Sequence, residues 1–162
     1  MNKEILIWKV LKLGRGPKNG QEFISTLESK DFFLSEWAKD LLSQPDFTVT
    51  NEEMEIKLVK SSLLQLGLKS GGRLTDICEM AGGEYGFQLC PPEVGPGLRE
   101  QYPDQLLFSP NLHVAMMPLM HKSGQPLLWQ LSRFGAKKCL YTNSGCPRAF
   151  YRPDSNFVFI QP

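Results

Sequence analysis

Residues 86–105, GFQLCPPEVGPGLREQYPDQ, constrain this chain more than any other stretch, because four prolines and three glycines fall within twenty residues. Pro91 and Pro92 fix φ and remove two backbone donors, so a strand reaching Cys90 has to stop there. Pro92 also suits the first turn of a short helix, with Glu93 beside it, where negative charge complements a helix N-terminus. Gly95, Pro96 and Gly97 argue against regular helix before Leu98, and Pro103 stops whatever follows. The expectation is a turn followed by one or two helical turns carrying Arg99 and Tyr102. Such a rigid Pro/Gly loop over 90–105 would present Glu93, Arg99, Gln101, Tyr102, Asp104 and Gln105 at little conformational cost. Two uses follow. Either the loop is a polar pocket in which Arg99 holds an anionic group bidentately and Tyr102 supplies a wall, or Arg99 pairs with Glu93 or Asp104 and pins the loop to a sheet.

The flanking sequence supplies that sheet. Residues 4–13, EILIWKVLKL, read as a strand, and GRGPKNG after them reads as a turn or loop. Asn19 caps a helix over 20–30 with Glu22 three residues on, and Phe23, Ile24 and Leu27 form its apolar stripe. Ser35 opens a second helix over 36–43, with Trp37, Ala38, Leu41 and Leu42 at helical spacing, and Pro45 ends it. After the short run at 47–49, the segment 52–64 alternates Met54, Ile56 and Leu58 against Glu53, Glu55 and Lys57, the period of a half-buried strand. A third helix begins at Leu74 or Thr75, turns Ile77, Cys78 and Ala81 inward, and is expected to fray or stop at Gly82 and Gly83, where helical continuation costs about 1 kcal/mol per glycine. Runs at 112–120, 126–134, 137–143 and 156–162 are β-like and separated by turn compositions. Sequential strands with short turns predict a meander. The fold class is therefore α+β: an N-terminal strand and helical hairpin, then a C-terminal antiparallel β-meander with helices packed on one face.

With 162 residues, 41% of them hydrophobic and 22% charged, the chain suits one domain over 1–162 with a continuous core. A formal charge of +1, with basic residues scattered, argues against a dedicated nucleic-acid or membrane-surface binder. The N-terminus mixes three lysines and a glutamate into its apolar run, unlike a signal peptide, and no window is apolar enough to span a bilayer. These features favour the cytoplasm. Cys78, Cys90, Cys139 and Cys146 form no Cys-X-X-Cys pair, so structural thiols are the first reading and a zinc site using Cys139 and Cys146 the lesser one.

The segment LCPPEVGPGLREQYPDQ resembles Leu-Cys-Pro-X-Glu-Val-Gly-Pro-X-Leu-Arg-X-Gln-Tyr-X-Asp-Gln in a family of small uncharacterised bacterial proteins. FFLSEWAKDLLSQPDFTV, TDICEMA, HVAMMPL and RPDSNFVFIQP are similar to further parts of that family. The resemblance implies one fold unit in a cytoplasmic setting and supplies no reaction. Gly82-Gly83 departs from the family's continuous helix.

Other chemistry is sparse. His113 and His121 flank one expected strand without a metal-binding spacing, and no nucleophile elbow, Walker-type loop or dinucleotide fingerprint occurs. No cofactor or metal is expected. Three functions remain open: a non-enzymatic binding or interaction module presenting the 90–105 loop to a small anionic ligand or a protein; a small hydrolase or transferase using Glu93 or Asp104 as acid-base groups beside Arg99 as anion clamp; and a weak nucleic-acid binder through Lys137, Lys138, Arg148 and Arg152, interleaved with Tyr141, Phe150 and Tyr151.

Overall fold

The computed structural model describes residues 4–105 and 110–162 and is an α+β fold. The expected single domain also includes 1–3 and 106–109, which lie outside the described residues. In chain order the elements are β1 (Ile7–Leu13), α1 (Gly20–Ser29), β2 (Phe33–Leu34), α2 (Glu36–Leu42), β3 (Met54–Ser62), α3 (Leu63–Leu66), β4 (Gly72–Arg73), α4 (Leu74–Tyr85), α5 (Val94–Gln101), β5 (Leu112–Val114), β6 (Leu119–Met120), β7 (Pro126–Phe134), β8 (Lys137–Ser144), β9 (Phe150–Tyr151) and β10 (Asn156–Gln161). Local signals set the helix starts. The Asn19 side chain accepts from Glu22 N, and Ser35 Oγ accepts from Ala38 N, so each satisfies a donor that the first turn leaves orphaned. Ser62 and Gln65 make a full capping box on α3, a helix absent from the sequence-based expectation.

The main sheet runs β1-β3-β10-β5-β7-β8-β2, with β6 also pairing β7. β5, β7 and β8 form the expected antiparallel meander, but β10 leaves it: it pairs antiparallel with β3 and parallel with β5 at the centre of the sheet. The reason lies in its composition. Phe157, Val158 and Phe159 are consecutive and all fully buried, as suits a strand covered on both faces and not an alternating edge strand. The expected strand over 112–120 is likewise divided into β5 and β6, and residues 47–49 form no strand.

The helices were expected on one face, and the structure divides them. The register aligns Phe157, His113, Gln130 and Tyr141 across one side of the sheet, with Trp129 and Leu131 on the other. α1, α2 and α5 pack on the Trp129 side. α4 leads through Tyr85, stacked on Phe87, to Phe159 on the opposite side. Each face of the central strands is thus covered.

α4 also corrects the expectation at Gly82 and Gly83. It runs through both to Tyr85 and ends at Gly86, whose φ of 70° lets Gly86 N donate to Gly82 O and Phe87 N to Ala81 O. The aromatic contact of Phe87 carries the helix past its weak formers. Gly83 faces open space, so Gly83→Ala is expected to raise stability by about 1 kcal/mol, read as a higher urea midpoint at unchanged slope. A lower midpoint would show that the glycine serves the bend into Phe87.

Candidate functional site

The 90–105 segment is a buried helix and its exit, not a presenting loop. Pro91 O accepts from Val94 N at 3.0 Å and Glu93 O from Gly97 N at 3.0 Å, so helical geometry starts before Leu98. Pro96 stands at the third helical position, where no intrahelical donor is needed, and the proline expected to break the helix is tolerated. Gly95 is required by packing: an added Cβ would lie 2.2 Å from Cγ and Cδ1 of Trp129. The Trp129 indole donates to Pro92 O at 2.7 Å, which ties the helix entry to the middle of β7.

The six expected site residues are dispersed around this helix. Arg99 is fully buried; its Nη1 donates to Gln105 Oε1 at 2.7 Å and to Ser132 O and Cys139 O, each at 3.3 Å, while Nη2 donates to Tyr102 O at 2.6 Å. Burial pushes the guanidinium down to about 10, still charged at neutral pH, with carbonyl oxygens as its partners and no carboxylate bonded to it. The guanidinium donors turn to oxygens of the protein's own chain, and the segment is pinned to the sheet as one reading expected, but through Ser132 and Cys139 and not through Glu93 or Asp104. It joins α5 to β7 and β8 from inside. Gln105 is buried as the partner of Arg99.

Gln101 does a different job. Its amide accepts from Lys12 N at 2.9 Å and donates to Lys12 O at 2.7 Å, closing the open side of edge strand β1. Tyr102 packs edge-on against Trp8, with Lys9 Nζ 4.4 Å from its ring centroid, and desolvation by partial burial pushes its hydroxyl up. Asp104 is exposed and lies 3.8 Å from Lys9 Nζ. Of the six, Gln101 and Glu93 line one cleft, and Glu93 is the one whose charge a site could use. It is buried, and its carboxylate accepts from Thr50 N at 3.1 Å and from Thr50 Oγ1. Neither Glu93 nor Asp104, the alternative acid-base groups, is bonded to Arg99, and the two lie at opposite ends of α5.

Glu93 opens onto a cleft of about 230 Å³ between α5 and the β1–α1 turn. Leu13, Phe23, Val49 and Gly97 give it an apolar floor; Lys12, Arg15, Glu93, Glu100 and Gln101 supply polar groups, and Arg15 is already paired with Glu53. Positions 93, 97 and 100 recur on one face of a helix, so Gly97 leaves a gap between two carboxylates. Glu100 was passed over in the sequence. The signal for it was the Pro92–Glu93 helix start, which places Glu100 on the face of Glu93 once helix begins at Val94.

A second constellation was also missed. His121 Nε2 lies 2.9 Å from Asp40 Oδ2, Nδ1 lies 2.8 Å from Ser123 Oγ, and Trp37 stacks on the imidazole at 4.2 Å. Ser123 N also donates to Nδ1, so Nε2 carries the proton toward Asp40. The hydrogen bond from His121 holds the Asp40 carboxyl below its ordinary range. The backbone donor competes with the Ser123 hydroxyl for Nδ1, and neither His121 nor Ser123 lines the cleft, so the cluster reads as an anchor of the β6–β7 turn on α2. Asp40 and His121 are too far apart in sequence for spacing to show this. Across the sheet, burial pushes His113 down to about 4 beside Tyr151 and Phe157. Among the described residues all four cysteines are free, Cys139 is buried while Cys146 is exposed, and no group of three or more His, Cys, Asp or Glu is placed to hold a metal.

No family model, curated protein or solved structure matches the chain. No described helix is long and apolar enough to cross a membrane.

Proposed function

We propose that this protein is a cytoplasmic binding module whose ligand is a small molecule with an amine or other cationic group on a compact apolar body, held in the cleft between α5 and the β1–α1 turn. One observation carries the reading: Glu93 and Glu100 face the same apolar-floored cleft across the side-chain-free gap at Gly97. Glu100 Oε2 is buried, makes no hydrogen bond to the described residues, and has Lys30 Nζ at 3.8 Å. A buried carboxylate oxygen without a hydrogen-bonding partner favours a ligand that brings a donor with it. Binding is preferred to catalysis because Thr50 already occupies the Glu93 carboxylate and Asp104 lies beyond the far end of the helix. The anionic ligand expected from Arg99 gives way here to a cationic one. The free cysteines support the cytoplasmic setting.

The test is a thermal-shift screen of wild type and Glu100→Gln against diamines, amino sugars and amino acid amides. A ligand at about a hundred times its dissociation constant contributes about 2.7 kcal/mol, a rise of roughly 5–10 °C for a domain of this size. The expected result is a shift in wild type that Glu100→Gln abolishes while still melting cooperatively. Equal shifts in both proteins, or none across the amines, would overturn the reading.

A further inference from the structure

Away from this cleft, the side of the sheet bearing Gln130 has an end that α4 does not reach. The pairs Gln130↔Tyr141, Ser132↔Cys139, Phe134↔Lys137 and Phe33↔Cys139 put the side chains of β7, β8 and β2 together on it. Tyr151 and Phe87 cover the β10 half of this side through Phe157 and Phe159, whereas α1, α2 and α5 lie against the other side. Three rings meet at the end that no described helix covers: Tyr141 lies 5.9 Å from Phe33 and 5.8 Å from Phe134, both at steep interplanar angles. Phe33 is 41% exposed and Phe134 59%, so the rings steady one another while keeping π-surface in solvent.

We propose that this aromatic end of the sheet binds single-stranded nucleic acid, with bases stacked on Phe134, Tyr141 and Phe33 and the backbone drawn by the basic C-terminal part of the chain. The charge argument is specific to this region. Residues 105–162 hold six Lys and Arg and a single acidic residue, Asp154; Lys122 pairs with Asp40 and Arg152 with Asp154, which leaves Arg133, Lys137, Lys138 and Arg148 outside the ion pairs of the described residues. Lys137 Nζ sits 5.5 Å from the Phe33 ring centroid, at the border of the aromatic cluster. The carboxylate nearest in sequence to these rings is Asp31, in the turn before β2. Beside the rings, Asn143 Nδ2 donates to Gln130 Oε1 at 3.1 Å and Gln130 Nε2 to Ser132 Oγ at 3.0 Å, an amide ladder that can extend to base edges.

Single strands suit this surface better than duplex, because stacking needs the face of an unpaired base and a duplex presents only edges and phosphate. The sequence-based expectation reached for Phe150 and Tyr151 as well. The structure buries Tyr151 against His113 and Phe157, and its hydroxyl, pushed up to about 12 by burial, donates to Ser144 O. The rings that cluster on the sheet, and so form the stacking surface, are Phe33, Tyr141 and Phe134.

Fluorescence anisotropy with a labelled oligouridylate of about 12 nucleotides, compared with a duplex of equal length at low salt, tests the proposal. Saturable binding to the single strand, at least about tenfold tighter than to the duplex, is expected. Phe134→Leu keeps an apolar side chain and removes the π-face; it should weaken binding roughly five- to a hundredfold, and Lys137→Gln should flatten the salt dependence by about one ion. Because Phe134 is exposed, the variant should melt as wild type does, and Tyr141→Leu provides a second ring deletion. Failure to saturate, equal affinity for duplex, or unchanged binding by both ring variants would overturn the proposal. Glu100→Gln should bind the oligonucleotide as wild type does, which separates failure of this site from failure of the cleft.

Discussion

Arg99→Ala is expected to cost about 3–5 kcal/mol, because it removes the guanidinium donors to four oxygens, three buried and that of Tyr102 partly so, and leaves a cavity between α5 and the sheet. For a chain of this size that is a fall in melting midpoint of roughly 10–15 °C. The carbonyls of Ser132 and Cys139 lie opposite one another on β7 and β8, so the guanidinium bridges adjacent strands from a helix that neither strand contacts in sequence. Arg99→Met separates the two causes. It keeps much of the volume and removes both the donors and the charge, and an apolar substitute for a buried charge can be close to neutral. The expected order of stability is wild type, then methionine, then alanine. An alanine variant within about 1 kcal/mol of wild type would mean that water replaces the guanidinium at little cost, and would return Arg99 to consideration as an accessible group.

Gly95→Ala is expected to lose about 3 kcal/mol or more, at the upper end of overpacking costs. Helix propensity alone predicts the opposite sign, a gain of about 1 kcal/mol. Packing wins because Trp129 cannot retreat. Its Nε1–H is fixed to Pro92 O, and its ring meets Phe47 edge-on at 6.3 Å. Urea denaturation should show a lower midpoint, and Trp129→Leu should recover part of the loss in the double variant, a coupling above about 1 kcal/mol. Gly83→Ala supplies the internal contrast: both glycines are helical, one against an indole and one against solvent. If the two alanine variants moved in the same direction, the contact at Trp129 would not be what holds Gly95 in place.

What could be read from the residues divides along the range of the forces involved. Caps act over three residues, and both Asn19 and Ser35 cap where the sequence puts them. The runs at 126–134 and 137–143 form strands because turn residues bound them on each side. The errors arise where a distant partner decides. Gly95, Pro96 and Gly97 look like breakers until Trp129, more than thirty residues on, demands a missing Cβ. The central place of β10 had a visible sign, three consecutive apolar residues without alternation, and the meander assumption overrode it. At the site, Glu93 was found through its place beside two prolines, whereas Glu100 needed the helix register. Arg99 and Asp104 were misjudged because spacing along a chain does not say whether a side chain turns inward.

The position of β10 also sets an order of events as the chain emerges during synthesis. β1 and β3 form one half-sheet and β5, β7 and β8 another, and the strand that joins them follows both in sequence. Until residues 156–161 leave the ribosome, β3 and β5 each expose an unsatisfied edge. Assembly of the whole sheet therefore waits for β10, and one late step closes contacts with β3 nearly a hundred residues away.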